Sequence, residues 1–439
     1  MMIEHEISVF DFVSSISEAI DLVSPLLNNH HKKVAYISYS IAKEMNLPND
    51  EIKDIVLAAM LHDIGSFSIA ERIKIMSLEA YEAELNHHAL VGYKLLKGFE
   101  PLSNAAHLVK YHHADYNKAA DVPLGSYIIN LADRVSVLLN ENREIFEQIP
   151  DIFEKIALKY HKFHPLVFAA FFRIAKLEYF LVEAVFPALG EKSIKKIHFL
   201  KEIIDLEALR SFAKLAAQII DFRSMFTATH SSGVAAVAME LSILCGFSER
   251  EYKSMEIAGF LHDLGKLAVP NTILEKNGKL NVEEMNTIRK HTYYTYLILN
   301  GISGLEQNIA VWASYHHERE DGNGYPFHVK GENFTELARI MAVADVVTAL
   351  TEDRPYRLGM KKETAAKAMI DIAGAGGLDE SIVEVVNNNF FLINEARINA
   401  QAAARAEYEA FHMPLYGNYM ADKEKIKEYK IIHPEAVSV

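Results

Sequence analysis

Two series of histidines and aspartates run through this chain in the same order, displaced by 200 positions at their start, and few folds accommodate such a pattern. His30 and Val34 match His230 and Val234. His62-Asp63 matches His262-Asp263, at the same interval from the first histidine in both halves. Farther on, His88 corresponds to His291, His112-His113 to His316-His317, and Asp133 in Leu131-Ala132-Asp133 to Asp345 in Val343-Ala344-Asp345. The offset grows along the series, which places insertions in the second copy, the largest between the paired histidines and the final aspartate. A single His-Asp dipeptide carries no information. Seven polar positions kept in one order indicate an internal duplication.

The residues around these positions carry helical periodicity. Ile52, Ile55, Val56, Ala59 and Met60 form an apolar stripe leading into Leu61-His62-Asp63, and Met255, Ala258, Gly259 and Leu261 do the same before His262-Asp263. Strand-like alternation is nearly absent, so the expected fold class is all-α, as two tandem helical bundles. The first unit is expected over residues 1–190, ending where Pro187, Gly190 and Glu191-Lys192 break the pattern. The second is expected over 206–400, followed by an Ala-rich helix and polar tail over 401–439 that carry no motif.

Charge and cysteine content narrow the function classes. The net charge is −14 and there is no run of Lys and Arg, which excludes a general nucleic-acid binder. An anionic substrate must then be met locally, by metal ions and a few placed cations. The long apolar stretch from Leu166 to Leu189 is interrupted by Arg173, Lys176, Glu178 and Glu183 and reads as buried helix, not as a membrane span. Glu4, Glu6 and Asp11 stand where a secretory signal would be positive. The single cysteine, Cys245, excludes an intrachain disulfide and a thiolate metal cage. The cytoplasm is the expected compartment, with neither membrane nor duplex nucleic acid as partner, and self-association as a homodimer is left open.

Ions that activate water need nitrogen and oxygen ligands with open positions. A pair of them about 3.5–4 Å apart can clamp both the attacking and the leaving oxygen of a phosphoryl transfer. On a helical bundle the ligands must converge from several helices. The second unit offers His230, His262, Asp263, His291, His316, His317 and Asp345. An adjacent His-Asp suits two ions, since the histidine serves one while the carboxylate bridges both. Lys266, one turn later, can present a compact cation to a phosphate oxygen. Taken singly these residues are ordinary packed or surface groups. Together on apolar helices, unpaired imidazoles and carboxylates are costly, and a shared metal removes the cost.

His262-Asp263-Leu264-Gly265-Lys266, followed by His316-His317-Glu318-Arg319-Glu320-Asp321-Gly322-Asn323-Gly324-Tyr325-Pro326, resembles the HD-GYP family of cyclic di-GMP phosphodiesterases, over residues of about 206 to 400. Asp353-Arg354-Pro355-Tyr356-Arg357 also resembles the family pattern. The resemblance implies two divalent ions, iron or manganese, in the C-terminal unit, with Asp263 and Lys266 as its catalytic groups. It implies hydrolysis of a cyclic dinucleotide second messenger to the linear dinucleotide and then the mononucleotide. It also implies substrate contacts from Arg319, Gly322, Gly324, Tyr325 and Pro326 and from Arg354 and Arg357. Cyclic GMP-AMP is an alternative substrate, because nothing in the sequence reads the base. A cyclic-dinucleotide receptor with little turnover is a further alternative. Family members with three metals carry a carboxylate four residues before the first histidine; Phe226 stands there, so two metals are expected.

The first unit departs from the family. It keeps a possible second metal site of His30, His62, Asp63, His88, His112, His113 and Asp133, but Ser66 stands where Lys266 is, and the GYP loop is missing. It resembles an HD-type domain without the substrate loop, expected to retain metal in a structural or regulatory role. His31, His87 and His107 have no counterpart in the second unit and read as structural or exposed.

Overall fold

The structure, a computed structural model, describes residues 7–22, 29–66, 82–118, 121–195, 203–222, 229–274, 276, 278–305, 307–353 and 358–432. The apolar stripes become helices. Those of the first half are α1 (Val9–Asp21), α2 (His30–Glu44), α3 (Asn49–Leu61), α4 (Glu82–Leu96), α5 (Ser103–Lys110), α6 (Leu124–Leu138), α7 (Ile149–Leu158), α8 (Pro165–Ile174), α9 (Glu178–Val185) and α10 (Pro187–Lys195). Those of the second are α11 (Leu206–Asp221), α12 (His230–Leu244), α13 (Glu249–Leu261), α14 (Asn271–Leu274), α15 (Val282–Asn300), α16 (Gln307–Ser314), α17 (Glu336–Thr351), α18 (Lys362–Gly374), α19 (Glu380–Asn388) and α20 (Phe390–Ile432). Local chemistry sets their starts. Ser8 caps α1 and Asp205 caps α11, while Ser248 with Glu251 and Asn281 with Glu284 form reciprocal capping boxes on α13 and α15. Each such cap satisfies an orphan N–H and is worth about 0.5–2 kcal/mol.

The all-α expectation holds apart from one short pair. β1 (Ile7–Ser8) runs antiparallel to β2 (Ile203–Ile204), with Ile7 opposite Ile204 and Ser8 opposite Ile203. No described helix is long and apolar enough to cross a membrane.

The duplication is visible in the packing. In the first unit α2 packs on α3 and α6, and α5 packs on α3 and α4. In the second α12 packs on α13 and α17, and α16 packs on α13 and α15. Each bundle thereby brings together the helix that opens with the first histidine, the helix that ends in His-Asp, and the helix that carries the last aspartate.

The units interlock. α1 lies against α2 and α3 of its own unit and also against the 3-10 turn Leu264–Ala268 and α15 of the other. Reciprocally, α11 packs on α13 and on α4. Where the two helices meet, the Phe12 and Phe212 ring centroids are 4.6 Å apart, and Phe99 adds a third ring 3.9 Å from Phe212. One apolar core runs through both halves. The break signals near residue 190 fall inside α10, because Pro187 opens that helix, where its missing N–H costs nothing. Gly190 continues it under the Tyr36 ring, where a Cβ would lie 2.9 Å from the ring atoms. At the other end α20 passes through residue 400 without interruption.

Phe212 is fully buried at the joint between the units. Phe212→Ala is expected to cost about 3–5 kcal/mol in urea unfolding of the metal-free protein. A cost near zero would mean that the halves fold independently of this contact.

Candidate metal centres

Most of the candidate histidines sit where helices end. His262 and His62 are the C-cap residues of α13 and α3, and His316 and His112 each follow α16 and α5 by two residues. The carbonyls of a last turn have no partner within the helix, and these rings supply one. His262 Nδ1 donates to the Gly259 carbonyl at 2.7 Å, His316 Nδ1 to Ala313 at 2.8 Å, His62 Nδ1 to Ala59 at 2.8 Å and His112 Nδ1 to Val109 at 2.6 Å. Within α15, His291 Nδ1 donates to Ile288 at 2.6 Å. With Nδ1 committed as donor, Nε2 keeps its lone pair and points inward.

In the second unit these nitrogens converge on Asp263. Its Oδ2 lies 3.3 Å from His262 Nε2 and 2.5 Å from Lys266 Nζ, and its Oδ1 lies 3.4 Å from His291 Nε2 and 3.9 Å from His316 Nε2. His230 Nε2 is 3.2 Å from Asp345 Oδ1, and His317 Nδ1 is 3.8 Å from Asp345 Oδ2. Three ligand clusters follow: His230, His262 and Asp345; His262, Asp263 and His316; and His291, His316 and His317. Sequence reasoning picked out all seven of these groups, and the fold brings them together.

The donor set fits metal ions. His291 Nε2 and His316 Nε2 face each other at 3.1 Å, although both rings have already spent their proton on a carbonyl. Two lone pairs at that distance repel unless a cation lies between or beside them. His262 Nε2 is buried without a hydrogen-bond partner, which would be costly if it remained so. Burial keeps the His291 and His316 imidazoles neutral, lowering His291 to about 3 and His316 well below the ordinary range, whereas at His230 burial is outweighed by Glu352 and Asp345, which raise it. Burial opposes ionisation of Asp263, yet His262 and Lys266 outweigh it and hold the carboxyl far below its usual value. Neutral imidazole and ionised carboxylate are the states that ligation requires.

The first unit builds the same arrangement with different surroundings. Asp63 Oδ2 is 3.4 Å from His62 Nε2, and Oδ1 is 3.2 Å from His88 Nε2 and 3.7 Å from His112 Nε2. His113 Nε2 lies 3.1 Å from His88 Nε2, and His30 Nε2 is 3.4 Å from Asp133 Oδ1. The clusters are Asp63, His88, His112 and His113, and His30, His62 and Asp63. Ser66 is buried where Lys266 stands in the second unit. A different cation is present instead: Arg134 Nη2 binds Asp133 Oδ2 at 2.7 Å. His31 is buried, with Nδ1 2.5 Å from Asp21 Oδ1, whereas His107 is exposed against the Tyr93 ring and His87 is half-buried.

The GYP loop of the second unit lies over its centre. The Tyr325 and His317 ring centroids are 5.0 Å apart, and the Arg289 guanidinium sits 5.1 Å from the other ring centre, that of Tyr325. The buried Glu318 carboxylate accepts from the N–H groups of Phe327, His328 and Val329 and so fastens the segment after Pro326. Gly322 has φ +72, a left-handed conformation that favours glycine, and a Cβ at Gly324 would lie 2.5 Å from Glu318 Cα. The Arg319 guanidinium is turned to Asp321 at 2.9 Å and to the Ala375 carbonyl at 3.3 Å, which makes it a brace of the loop in this structure. Arg354, Arg357 and Phe226 lie outside the described residues.

Sequence reasoning missed Arg289, Glu318, Arg134 and Glu352. Arg289 stands two residues before His291, and Glu318 follows His317 directly. Glu352 is seven residues after Asp345, the helical interval that returns to the same face.

The comparisons with known proteins agree with this geometry. Residues 27–138 match one HD domain family, and residues 214–382 match a second HD domain family. The chain carries two HD domains. Over 88% of its length it is 28% identical to the 3'3'-cGAMP-specific phosphodiesterase 1 of Vibrio cholerae, of which the match covers 93%. It is 38% identical over 152 residues to the 3'3'-cGAMP-specific phosphodiesterase 3 of the same organism. It is 40% identical over 142 residues to the cyclic di-GMP phosphodiesterase response regulator RpfG of Xanthomonas campestris. These last two matches cover 33% and 38% of the relatives' own length. A crystal structure of a cyclic GMP-AMP specific phosphodiesterase of V. cholerae (V-cGAP3) superposes with a TM-score of 0.60, at 20% identity, over 91% of this chain and 98% of that one. It shares the fold of the HD pair.

Gly265 fixes how closely α15 approaches the His-Asp turn, since a Cβ there would lie 1.9 Å from the His291 carbonyl oxygen. Gly265→Ala is expected to push His291 outward, to cost about 1–3 kcal/mol, and to lower the metal bound per chain. Elemental analysis beside a denaturation curve checks both. Unchanged metal content would show that His291 does not depend on this approach.

Proposed function

We propose that the chain is a metal-dependent phosphodiesterase that hydrolyses a cyclic dinucleotide at the centre of its second HD domain. The observation that carries this reading is the complete ligand set of that domain, with Lys266 on Asp263 and the Tyr325 loop laid over it. The relatives support it, since those matched here are named as cyclic di-GMP and 3'3'-cGAMP phosphodiesterases. Two ions would be held, one by His230, His262 and Asp345 and one by His291, His316 and His317, with Asp263 between them. Iron or manganese suits this mixture of nitrogen and oxygen donors. When bound, the ions supply Lewis acidity, which makes a water more acidic and neutralises charge on the phosphodiester.

The chain's own residues do the rest. In the net reaction water adds to phosphorus, the P–O3' bond breaks, and the 3' oxygen leaves with a proton, giving a linear dinucleotide. A second hydrolysis gives the mononucleotide. Lys266 carries a permanent charge: burial opposes it, but Asp263 outweighs burial and raises its pKa above the ordinary value. Its ammonium is placed to stabilise negative charge growing on a non-bridging oxygen. Tyr325 is half-buried and stays protonated, its pKa pushed up by burial, so its hydroxyl can donate to the substrate while its ring covers His317. Gly322 and Gly324 let the loop backbone approach a ligand closely, and Pro326 stiffens it.

Cyclic di-GMP and 3'3'-cGAMP are the two candidate substrates. The relative matched across both HD domains, 3'3'-cGAMP-specific phosphodiesterase 1, favours the mixed nucleotide. The setting proposed is cytoplasmic second-messenger signalling. Purified protein loaded with manganese or ferrous iron and given each substrate is expected to release linear dinucleotide. In the same assay His262→Ala with Asp263→Ala should abolish turnover, and Lys266→Ala should retain metal while slowing the reaction about 10²–10³-fold. Binding of a cyclic dinucleotide without product release would make the chain a receptor instead.

The first HD domain is proposed to hold metal in a structural or regulatory role, because it keeps the ligands but lacks both Lys266 and the loop. With His62→Ala and Asp63→Ala, processing of the linear product is expected to continue. Accumulation of linear dinucleotide in that variant would show that the first domain is itself a hydrolase.

A further inference from the structure

His230 differs from His262, His291 and His316 in what holds its outer nitrogen. His262, His291 and His316 donate Nδ1–H to main-chain carbonyls. His230 Nδ1 instead meets a carboxylate, Glu352 Oε2, at 3.1 Å. Glu352 is buried at 4% exposure just beyond the end of α17 and is reached from the C-terminal helix: Gln401 Nε2 of α20 donates to the same Oε2 at 3.1 Å, and Arg397 of α20 in turn binds Gln401 Oε1. On its other side His230 Nε2 faces Asp345.

The duplicated domain provides an internal control. His30, the counterpart of His230, has Nδ1 3.1 Å from Ser136 Oγ, and that hydroxyl donates to the Asp133 carbonyl at 2.8 Å. Its outer partner is therefore neutral. Ser136 lies three residues after Asp133, and Thr348 lies three residues after Asp345. The Thr348 hydroxyl is buried with no hydrogen-bond partner. The second domain keeps a hydroxyl at the equivalent place, but the job has passed to a charged group from farther along the chain.

We propose that Glu352 is a positioning residue for the second metal centre, making His230 a carboxylate-backed and therefore stronger ligand, and that Gln401 of the C-terminal helix holds Glu352 in place. A carboxylate accepting from Nδ1–H fixes the tautomer and the ring plane and pushes electron density towards Nε2. A hydroxyl fixes the tautomer but adds little density. The two centres then differ in how firmly they hold the ion at their first histidine, and the firmer grip depends on α20. This rests on the reading of the second domain as a metal centre, and its test does not require that the centre hydrolyse anything.

Manganese titration is read in full-length protein carrying His62→Ala and Asp63→Ala, so that the second centre dominates the signal. In that background Glu352→Ala is expected to weaken manganese binding on the order of 10- to 100-fold. Glu352→Gln, with the same shape and no charge, should bind manganese several-fold more weakly, with a loss of metal-free stability smaller than the loss of binding. Gln401→Ala should shift affinity in the same direction by less. Affinity unchanged in both Glu352 variants overturns the proposal. So does a loss of affinity in Glu352→Gln matched by an equal loss of metal-free stability, since that is the signature of packing alone. If the affinities shift as expected while the unmutated protein cleaves no cyclic dinucleotide, the positioning role stands and the proposed activity falls.

Discussion

The hydrogen bond from a histidine Nδ1–H to the carbonyl three residues before it is the interaction on which both centres depend. It satisfies a helix-end oxygen that would otherwise need water. It also decides which nitrogen keeps a lone pair and aims that nitrogen into the bundle. His262, His316, His62 and His112 all do this at the last turn of a helix, so their position along the chain and their chemical role have one cause. The consequence is a dry interior lined by acceptors that cannot bond one another, as His291 and His316 show at 3.1 Å. An apolar bundle tolerates such a lining only if cations neutralise it.

The same constraint explains why the bundles must be tight. The His-Asp turn has to come within reach of the helix carrying the third histidine, and the glycine after each pair permits it. A Cβ at Gly65 would lie 2.1 Å from the His88 carbonyl oxygen, and one at Gly265 would lie 1.9 Å from that of His291. The helix that opens with the first histidine is set by a carboxylate on the preceding helix. Asp21 accepts from the His31 N–H, and Asp221 accepts from the Ser231 N–H and hydroxyl, so α2 and α12 are capped from α1 and α11. Burial lifts Asp221 to about 7. α1 and α11 are also the helices that cross between the units. The elements that orient His30 and His230 are thus among those that join the two domains.

Much of the metal centre was legible in the sequence because helices impose a fixed geometry on spacing. Once each segment is helical, an equal interval from His30 to His62 and from His230 to His262 places equivalent groups at equivalent places. The duplication then separates meaningful histidines from incidental ones. What stayed hidden depends on contacts that no local period encodes. Glu352 meets His230 across 122 positions, and Gln401 reaches Glu352 from a helix whose own sequence carries no motif. Phe12 and Phe212 are ordinary apolar residues until the chain crosses, so units that look separable share a core. Arg319 reads as a substrate contact by its place in a motif, yet in the folded loop its guanidinium is taken by Asp321 and Ala375.

The two copies have kept their ligands and changed what surrounds them, and the changes concern where positive charge is placed. In the second domain the cation is Lys266, whose ammonium lies on the Asp263 carboxylate with its side chain 20% exposed, so it can meet both the centre and an arriving anion. In the first domain Ser66 replaces the lysine, and among the described residues no ammonium lies on Asp63. The cation is Arg134, bound to the outer oxygen of Asp133 with its side chain 13% exposed. A guanidinium tied to Asp133 neutralises that carboxylate and leaves the charge of Asp63 to its histidines. The second domain also adds a carboxylate behind His230, where the first has only a hydroxyl. Charge in the second copy is arranged towards Asp263 and the Tyr325 loop above it. In the first it is balanced among the ligands themselves.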